Sequence, residues 1–501
     1  MDAANVPAGA PGIDSGGIGG QPRGLTTLFF TEMWERFSYY GMRALLILFM
    51  VAPAADGGLG FGVRRAAFVY GTYTMGGYLL SIPGGFIADN FLGARRSVLV
   101  GGIVIAMGHF TLALSNAGTF YAGLILIVLG SGLLKPNVSS MVGSLYGPGD
   151  VRRDAGFSVF YVGINLGGFI APLVCGFLAQ SAAFKGWLSG HGFDPVHSWH
   201  WGFAAAGAGM TLGLVQYVAG RGRISHVGAA PAPGVRPWLI LAAVLLLTSA
   251  VLALILLSDL VARFSWIRYG YVAAPVAAIL WFGSRGGVNN RRIAAILIFF
   301  IASMTFWAIF EQTGSTIALF GEKLTDRSLP GGRSFPAAYF QSVNPALIFI
   351  LAPLFAWLWL RLGARQPSSP LKFVLGLGFA ALSFLLMVPA ARLTAHGLVS
   401  PWWIVGMFLL QTVGELCLSP VGLSVMTKLS PGNLQGLMLG VWFLASALGN
   451  KVAGILAGNF TATDPAALGH FFLLESAWVG AAALALLALA PWMGRLMGGV
   501  R

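Results

Sequence analysis

Apolar positions in this chain fall into long runs separated by short polar joints, with no strict alternation of the kind an outer-membrane strand needs. A run of about 20 residues crosses a bilayer core of roughly 30 Å as a helix. Such runs are predicted at 25–52, 66–90, 96–115, 118–143, 154–182 and 199–220, which make a first block of six. A Gly/Ala/Pro-rich joint, Gly220 to Arg236, leads to two more runs at 237–258 and 268–284. Six further runs follow at 292–320, 335–363, 371–391, 400–428, 434–459 and 470–497. The pattern predicts an all-α polytopic membrane protein with 14 transmembrane helices. Its segments are a disordered tail (1–24), a six-helix bundle (25–220), a linker with an inserted hairpin (221–291) and a second six-helix bundle (292–501). The tail lacks the basic start and apolar centre of a signal peptide.

The first run breaks the pattern. Within TEMWERFSYYGMR, residues 31–43, it carries Glu32, Glu35, Arg36 and Arg43. On a helix, positions 32, 35 and 36 are spaced i, i+3 and i+4, so two carboxylates and a guanidinium share one face. That face cannot point at lipid. Ionisable groups at membrane depth are costly, and they turn toward a bundle interior or a water-filled path used by an ion or substrate. The alternative is a static ion network that fixes helix packing.

Composition narrows the class. The 501 residues are 57% apolar and only 9% charged, against roughly 25% charged in soluble domains. Seventy glycines suit close packing of helices in lipid, as in the GxxxG spacing of Gly163 and Gly167. The two cysteines, Cys175 and Cys417, fall inside runs and suggest neither a disulfide framework nor a metal site. The net charge of +14 is scattered over short loops, which argues against a nucleic-acid partner. With both termini inside, about twice as many bases fall on the cytoplasmic side as on the outer side, as the positive-inside rule requires of an inner-membrane protein. Lys451 is read as snorkelling outward, and His109 as a packed side chain without a role.

Two equal six-helix blocks match the plan of the major facilitator superfamily, and the loop GGFIADNFLGARR, Gly84 to Arg96, resembles its loop motif. More specific is the ordered set Glu32-x-x-Glu35-Arg36, Gly132-Leu-Leu-Lys135-Pro136-Asn137, Phe160-Tyr-Val-Gly-Ile-Asn165, Phe310-Glu-Gln312 and Glu415-Leu-Cys-Leu-Ser-Pro420. Together these resemble the proton-dependent oligopeptide transporters over about residues 25–460, and the inserted hairpin resembles prokaryotic members. The departures are Gly168, where the family often has serine, and Asn90, where a charged residue is common. The second run also lacks the histidine of animal members, so a proton site must use carboxylates.

The resemblance implies a proton-coupled symporter that imports di- and tripeptides by alternating access, with no enzymatic activity and no cofactor besides the coupling proton. Glu32, Glu35, Arg36, Lys135 and Glu311 are implied in proton coupling, with Glu311 competing for Lys135 and helping to close an outer gate. The substrate carboxylate is assigned to Arg36, Arg43 and Lys135, and its amino terminus to Glu415, Asn165 and Asn344. Tyr39, Tyr40, Tyr78, Trp307, Phe310, Ser419, Trp442 and Ser446 are placed around the side-chain pockets. Asp89 and Arg95 are expected as a gate-side charge cluster, and Pro136, Pro345 and Pro420 as gating hinges, with ordinary kinks as the alternative. A monomer in contact with membrane lipid is expected. A transporter of nitrate or another small solute is the nearest rival reading. A membrane enzyme finds no HExxH, no GxSxG and no soluble domain in its support.

Overall fold

The structure is a computed structural model that describes residues 14–497 apart from 115, 148–149, 232–233, 258–276, 278–279, 281–289 and 430–434. The first half contains α1 (Arg23–Val51), α2 (Val63–Leu79), α3 (Ser81–Ile87), α4 (Ala94–Leu112), α5 (Ala117–Ser144), α6 (Arg153–Gln180), α7 (Ala182–Gly190) and α8 (Ser198–Ala219). α9 (Arg236–Leu257) follows. The second half contains α10 (Asn290–Phe310), α11 (Thr316–Lys323), α12 (Val343–Leu362), α13 (Ser369–Leu393), α14 (Trp402–Leu429), α15 (Gln435–Ala457) and α16 (Pro465–Leu496).

The long apolar runs became these helices to within a few residues, and among the described residues 10 helices are long and apolar enough to cross a membrane. α1 is not one of the ten, because its charges interrupt the hydropathy that otherwise fits a span. The run at 268–284, second arm of the expected hairpin, lies outside the described residues. Its first arm, α9, is docked on the first half through Leu241, which packs with Ile87, Leu92 and Leu133. Otherwise it is little buried, as befits a helix wrapped by lipid.

Three runs do not make single helices. The second breaks at Leu80 into α2 and α3, next to Pro83, and ends in a π-helical turn Ala88–Leu92. The ninth breaks after Phe310 into a 3-10 turn, Glu311–Gly314, before resuming as α11. The tenth begins with the 3-10 segment Ala337–Ser342. Between the last two, an antiparallel pair, β1 (Ser328–Leu329) with β2 (Arg333–Ser334), turns on Gly331 and Gly332 at positive φ.

Each half packs on small residues. In the first, α1 lies on α6: a Cβ at Gly167 would fall 2.2 Å from the Met33 carbonyl oxygen and 2.9 Å from Arg36 Cβ. Cys175, one of two free buried cysteines, fills the space opposite Gly41. Gly209 and Gly213 of α8 receive Phe37 and Trp34. These close approaches place the charged face of α1 in the middle of the molecule, away from lipid. Outward faces carry bare apolar side chains such as Leu246 (72% exposed) and Leu360 (83% exposed), which only a hydrocarbon surround makes favourable.

The halves meet along α2 and α15, where Gly71 and Gly454 touch backbone to backbone, and where α6 meets α12 and the segment before it. Lys451 lies in the first of these seams. It is 1% exposed, donates from Nζ to Thr72 Oγ1 at 2.6 Å, and sits 3.7 Å from the centre of the Phe68 ring. The snorkelling expectation is therefore corrected: the seam offers a hydroxyl and an aromatic face out of contact with lipid, so the ammonium need not reach the interface. His109 is fully buried, as expected, and packs beside Gly207.

Candidate functional site

The face of α1 holds together as the i, i+3, i+4 spacing predicts. Arg36 Nε lies 2.8 Å from Glu32 Oε1 and 2.6 Å from Glu35 Oε2. All three side chains are buried, Glu35 to 1% exposure. Arg36 also lies 5.5 Å from the centre of the Tyr39 ring.

Lys135 projects from α5 beside this cluster. Its Nζ sits 4.6 Å above the Tyr39 ring and 4.0 Å above the Tyr78 ring. It has no hydrogen-bond partner among the described residues. Aromatic faces hold the cation in place without neutralising it, which leaves all three ammonium donors for an incoming anion.

About two turns further along α1, Arg43 reaches out of its own half. Its Nη2 lies 2.5 Å from Glu311 Oε2, in the 3-10 turn after α10, and its Nε donates to Tyr70 OH at 2.7 Å. Gly314, last residue of that turn, is what lets the three groups meet. A Cβ there would lie 1.8 Å from Tyr70 OH and 3.1 Å from Arg43 Nε. Glu311 is thus brought to Arg43. The expected contest between Glu311 and Lys135 is not a contact in this structure, because the break after Phe310 turns Glu311 toward the end of the bundle where α1 finishes.

At that end, side-chain hydrogen bonds join the halves among the described residues. Gln180 Nε2 donates to Glu322 Oε2 at 3.0 Å, the Ala338 amide donates to Gln180 Oε1 at 3.1 Å, and Ser342 Oγ donates to the Phe169 carbonyl at 2.7 Å. The opposite end carries Arg23 and Leu496, and Lys135 lies between the two ends, over Tyr39 near the middle of α1.

Of the three cations expected to take a carboxylate, the structure distinguishes one. Arg36 is paired with two acids of its own helix and Arg43 with Glu311, whereas Lys135 lies over two rings and makes no ion pair or hydrogen bond among the described residues. On the second half, Glu415 of α14 accepts from Asn344 Nδ2 at 3.0 Å, and Asn344 also donates to Thr412 Oγ1 at 3.0 Å. Asn165 does not join them. Its Nδ2 donates to the Tyr161 carbonyl one turn back on α6 at 3.0 Å. The seam between Tyr40 and Pro345 connects the two sets: a Cβ at Gly168 would touch Tyr40 at 3.2 Å and Pro345 at 3.3 Å.

The aromatic and hydroxyl positions divide. Tyr39 packs edge-on to Tyr40 at 5.3 Å and parallel to Tyr73, and Trp307 packs edge-on to Phe310 at 5.2 Å. Tyr78 and Ser419 are half-buried and Ser446 is buried. Trp442 is buried in the second half, 6.3 Å from Phe373 and pressed against Gly422.

Among the gating candidates, Pro136 and Pro420 lie inside α5 and α14. Asn137 Nδ2 donates to the Leu133 carbonyl at 2.6 Å, next to Pro136. Pro345 sits in the first turn of α12, directly after the 3-10 segment Ala337–Ser342, where a missing N–H costs no intrahelical bond. Asp89 and Arg95 form no ion pair among the described residues. Asp89 is exposed in the π-helical turn, and Gly93, at φ 77°, separates it from Arg95. The Arg95 backbone is held instead by the linker: its N–H donates to the Gly228 carbonyl at 3.1 Å, and its carbonyl accepts from Tyr217 OH at 3.0 Å.

Sequence reasoning missed Tyr70, Gly314 and Lys451 with Thr72, whose partners lie far off in sequence. It also missed Glu475, an acid inside the last run, which takes a hydrogen bond from Gln312. An acid inside an apolar run was a signal available for Glu475.

Comparison with known proteins places this geometry among transporters. The family model described as the POT family matches residues 95–471. A peptide transporter of Yersinia enterocolitica is 39% identical over 505 residues, covering 95% of this chain and 96% of its own. A di-/tripeptide transporter of Lactococcus lactis subsp. cremoris is 36% identical over 504 residues, covering 96% of this chain and 98% of its own. A crystal structure of a peptide transporter POT in complex with alafosfalin superposes with a TM-score of 0.86 at 40% identity, covering 97% of this chain and 98% of that one.

Proposed function

Because this chain belongs to the POT family of peptide transporters, we propose that it imports di- and tripeptides together with protons by alternating access. The observation that carries the reading is Lys135, a cation held between two rings with no hydrogen-bond acceptor among the described residues, while Glu415 stands with Asn344 in the other half. A zwitterionic peptide needs those two ends and backbone-reading groups between them, and it is indifferent to side-chain sequence.

In this reading Lys135 takes the peptide carboxylate, and Glu415 with Asn344 takes the amino terminus. Arg36, Arg43 and Asn165 line the path. Tyr39, Tyr40, Tyr78, Trp307, Phe310, Ser419, Trp442 and Ser446 shape its walls. Protonation within the Glu32/Glu35 pair loosens their hold on Arg36 and changes the field at Lys135, which couples the proton to the substrate. The pair Arg43–Glu311 closes one end of the path. The halves then rock about the central site.

The excess of bases on the side of the termini supports a cytoplasmic location for both termini, in a cell inner membrane. A site built within one chain supports a monomer as the working unit. For each proton, about 2.3 kcal/mol is available per 100 mV and about 1.4 kcal/mol per pH unit. These correspond to roughly 50-fold and tenfold accumulation.

Proteoliposomes with an imposed inward proton gradient test the proposal. Labelled dialanine and trialanine accumulate above equilibrium, unlabelled dipeptides compete, and a protonophore abolishes the excess. Uptake that never exceeds equilibrium, or that dipeptides do not compete for, refutes it.

A further inference from the structure

The buried carboxylate of Glu475 has no part in the path described above. It sits in α16, 5% exposed, and accepts a short hydrogen bond on Oε2 from Gln312 Nε2, while Oε1 has no hydrogen-bond partner among the described residues. Gln312 is itself fully buried and lies in the 3-10 turn Glu311–Gly314, immediately after Glu311.

That turn is a hole in a helix at membrane depth. Where α10 stops and α11 has not begun, backbone groups lose their i to i−4 partners, and the segment needs side chains to hold it. Gln312 supplies them on both sides of the break. Its Nε2 reaches the Ala308 carbonyl at 3.3 Å in α10, and its Oε1 accepts from Thr316 Oγ1 at 2.7 Å in α11. Gln341 adds a second clasp, donating to the Thr313 carbonyl at 2.7 Å. Among the described side-chain bonds of the turn, only the one to Glu475 reaches α16, the helix that packs beside α10, so it is the contact that fixes the turn relative to α16.

We propose that Glu475 is a positioning residue. Through Gln312 it holds the 3-10 turn in the conformation that aims Glu311 at Arg43, and so it sets how firmly the two halves close at that end. The proposal rests on the reading of Arg43–Glu311 as a closing contact. A local acceptor would have satisfied Gln312 just as well. An acceptor on α16 instead makes Glu311 part of a rigid frame, so that when the halves separate the break falls between Arg43 and Glu311 rather than within the turn. Removing the acceptor leaves a buried N–H unpaired and frees the turn to carry Glu311 away from Arg43.

The test is a double-mutant cycle read on closure itself. Spin labels at Ser189→Cys and Leu329→Cys, exposed positions on the two halves, report the separation of the halves at this end in full-length protein in nanodiscs, with Cys175 and Cys417 replaced by alanine. Glu475→Leu is expected to raise the open population at least threefold, and to add nothing in a Glu311→Gln background. Glu475→Gln, which keeps an acceptor for Gln312, is expected to restore the closed distribution and proton-driven dialanine accumulation within twofold.

The proposal is overturned if Glu475→Leu leaves the distances closed, or if it opens them equally in both backgrounds. It is also overturned if Glu475→Gln behaves like Glu475→Leu, since the charge rather than the bridge would then be what matters. Glu311→Gln alone reports on the closing contact, so failure of that reading is seen separately. Should Glu475→Leu not fold, Gln312→Met breaks the same bridge from its other member and carries the same cycle.

Discussion

Two buried ion clusters share the first helix, and they are built for different events. Glu32, Glu35 and Arg36 all sit on α1, so rotation of one half against the other leaves their 2.8 and 2.6 Å contacts unchanged. Arg43 and Glu311 come from opposite halves, so the same rotation must part them. In the proposed mechanism the first cluster answers to protons and to whatever approaches Lys135, and the second answers to rigid-body motion. Eleven residues of one helix separate Glu32 from Arg43, about 16 Å at 1.5 Å per residue, which is enough to link a proton switch to a gate through a single rigid element.

The comparison is broken most forcefully at Arg43. Arg43→Ala leaves Glu311 buried without its cation, and a loss of about 3–5 kcal/mol is expected, read as a lowered unfolding temperature in detergent. A double change to leucines at both positions is expected to recover most of it, because no charge is then stranded. The matching experiment on the other cluster is Glu35→Gln. At a gradient of two pH units it is expected to remove about 100-fold accumulation, or ~2.7 kcal/mol, while peptide exchange without a gradient continues. Wild-type accumulation in that variant would remove the cluster from the coupling scheme.

Gly314→Ala sharpens the contrast, since its added methyl strikes Tyr70 OH beside Arg43 and touches nothing of the Glu32 cluster. A cost of about 1–3 kcal/mol in stability is expected, together with a shift of spin-label distances toward separated halves and an unchanged proton dependence. Glu415→Gln separates substrate from both clusters, with dialanine affinity expected to fall about tenfold as the amino terminus loses its charge partner. Undiminished affinity there would move the amino-terminal end of the site elsewhere. Smallest of all, Leu360→Ala on the lipid face is expected to change stability by less than about 0.5 kcal/mol, as measured by thermal unfolding.

Much of this was legible in order along the chain. The helix runs, the two halves and the charged face of α1 rest on hydropathy and on i, i+3, i+4 spacing, which are local properties. The same reasoning flagged Lys135, Glu311 and Glu415 as charges at membrane depth. It went wrong where a residue's surroundings come from another helix. Lys451 read as a lysine heading for the interface, because nothing nearby in sequence announces Thr72 across the seam between the halves. Glu475 was overlooked because its partner, Gln312, stands 163 positions away.

By itself the sequence determined that this chain lives in a membrane, that its helices form two matched sets, and that ionisable groups must face inward. Each of these follows from the free energy of putting apolar or charged groups in hydrocarbon, which depends on residue type and near neighbours. Which cation meets which acid across helices was decided only in three dimensions. Small residues at helix crossings set how far each helix slides and turns, and the break after Phe310 then delivers Glu311 to Arg43 while leaving Lys135 to its two tyrosines. Pairing at these distances is a matter of a few ångströms, and only the packed fold fixes positions that finely.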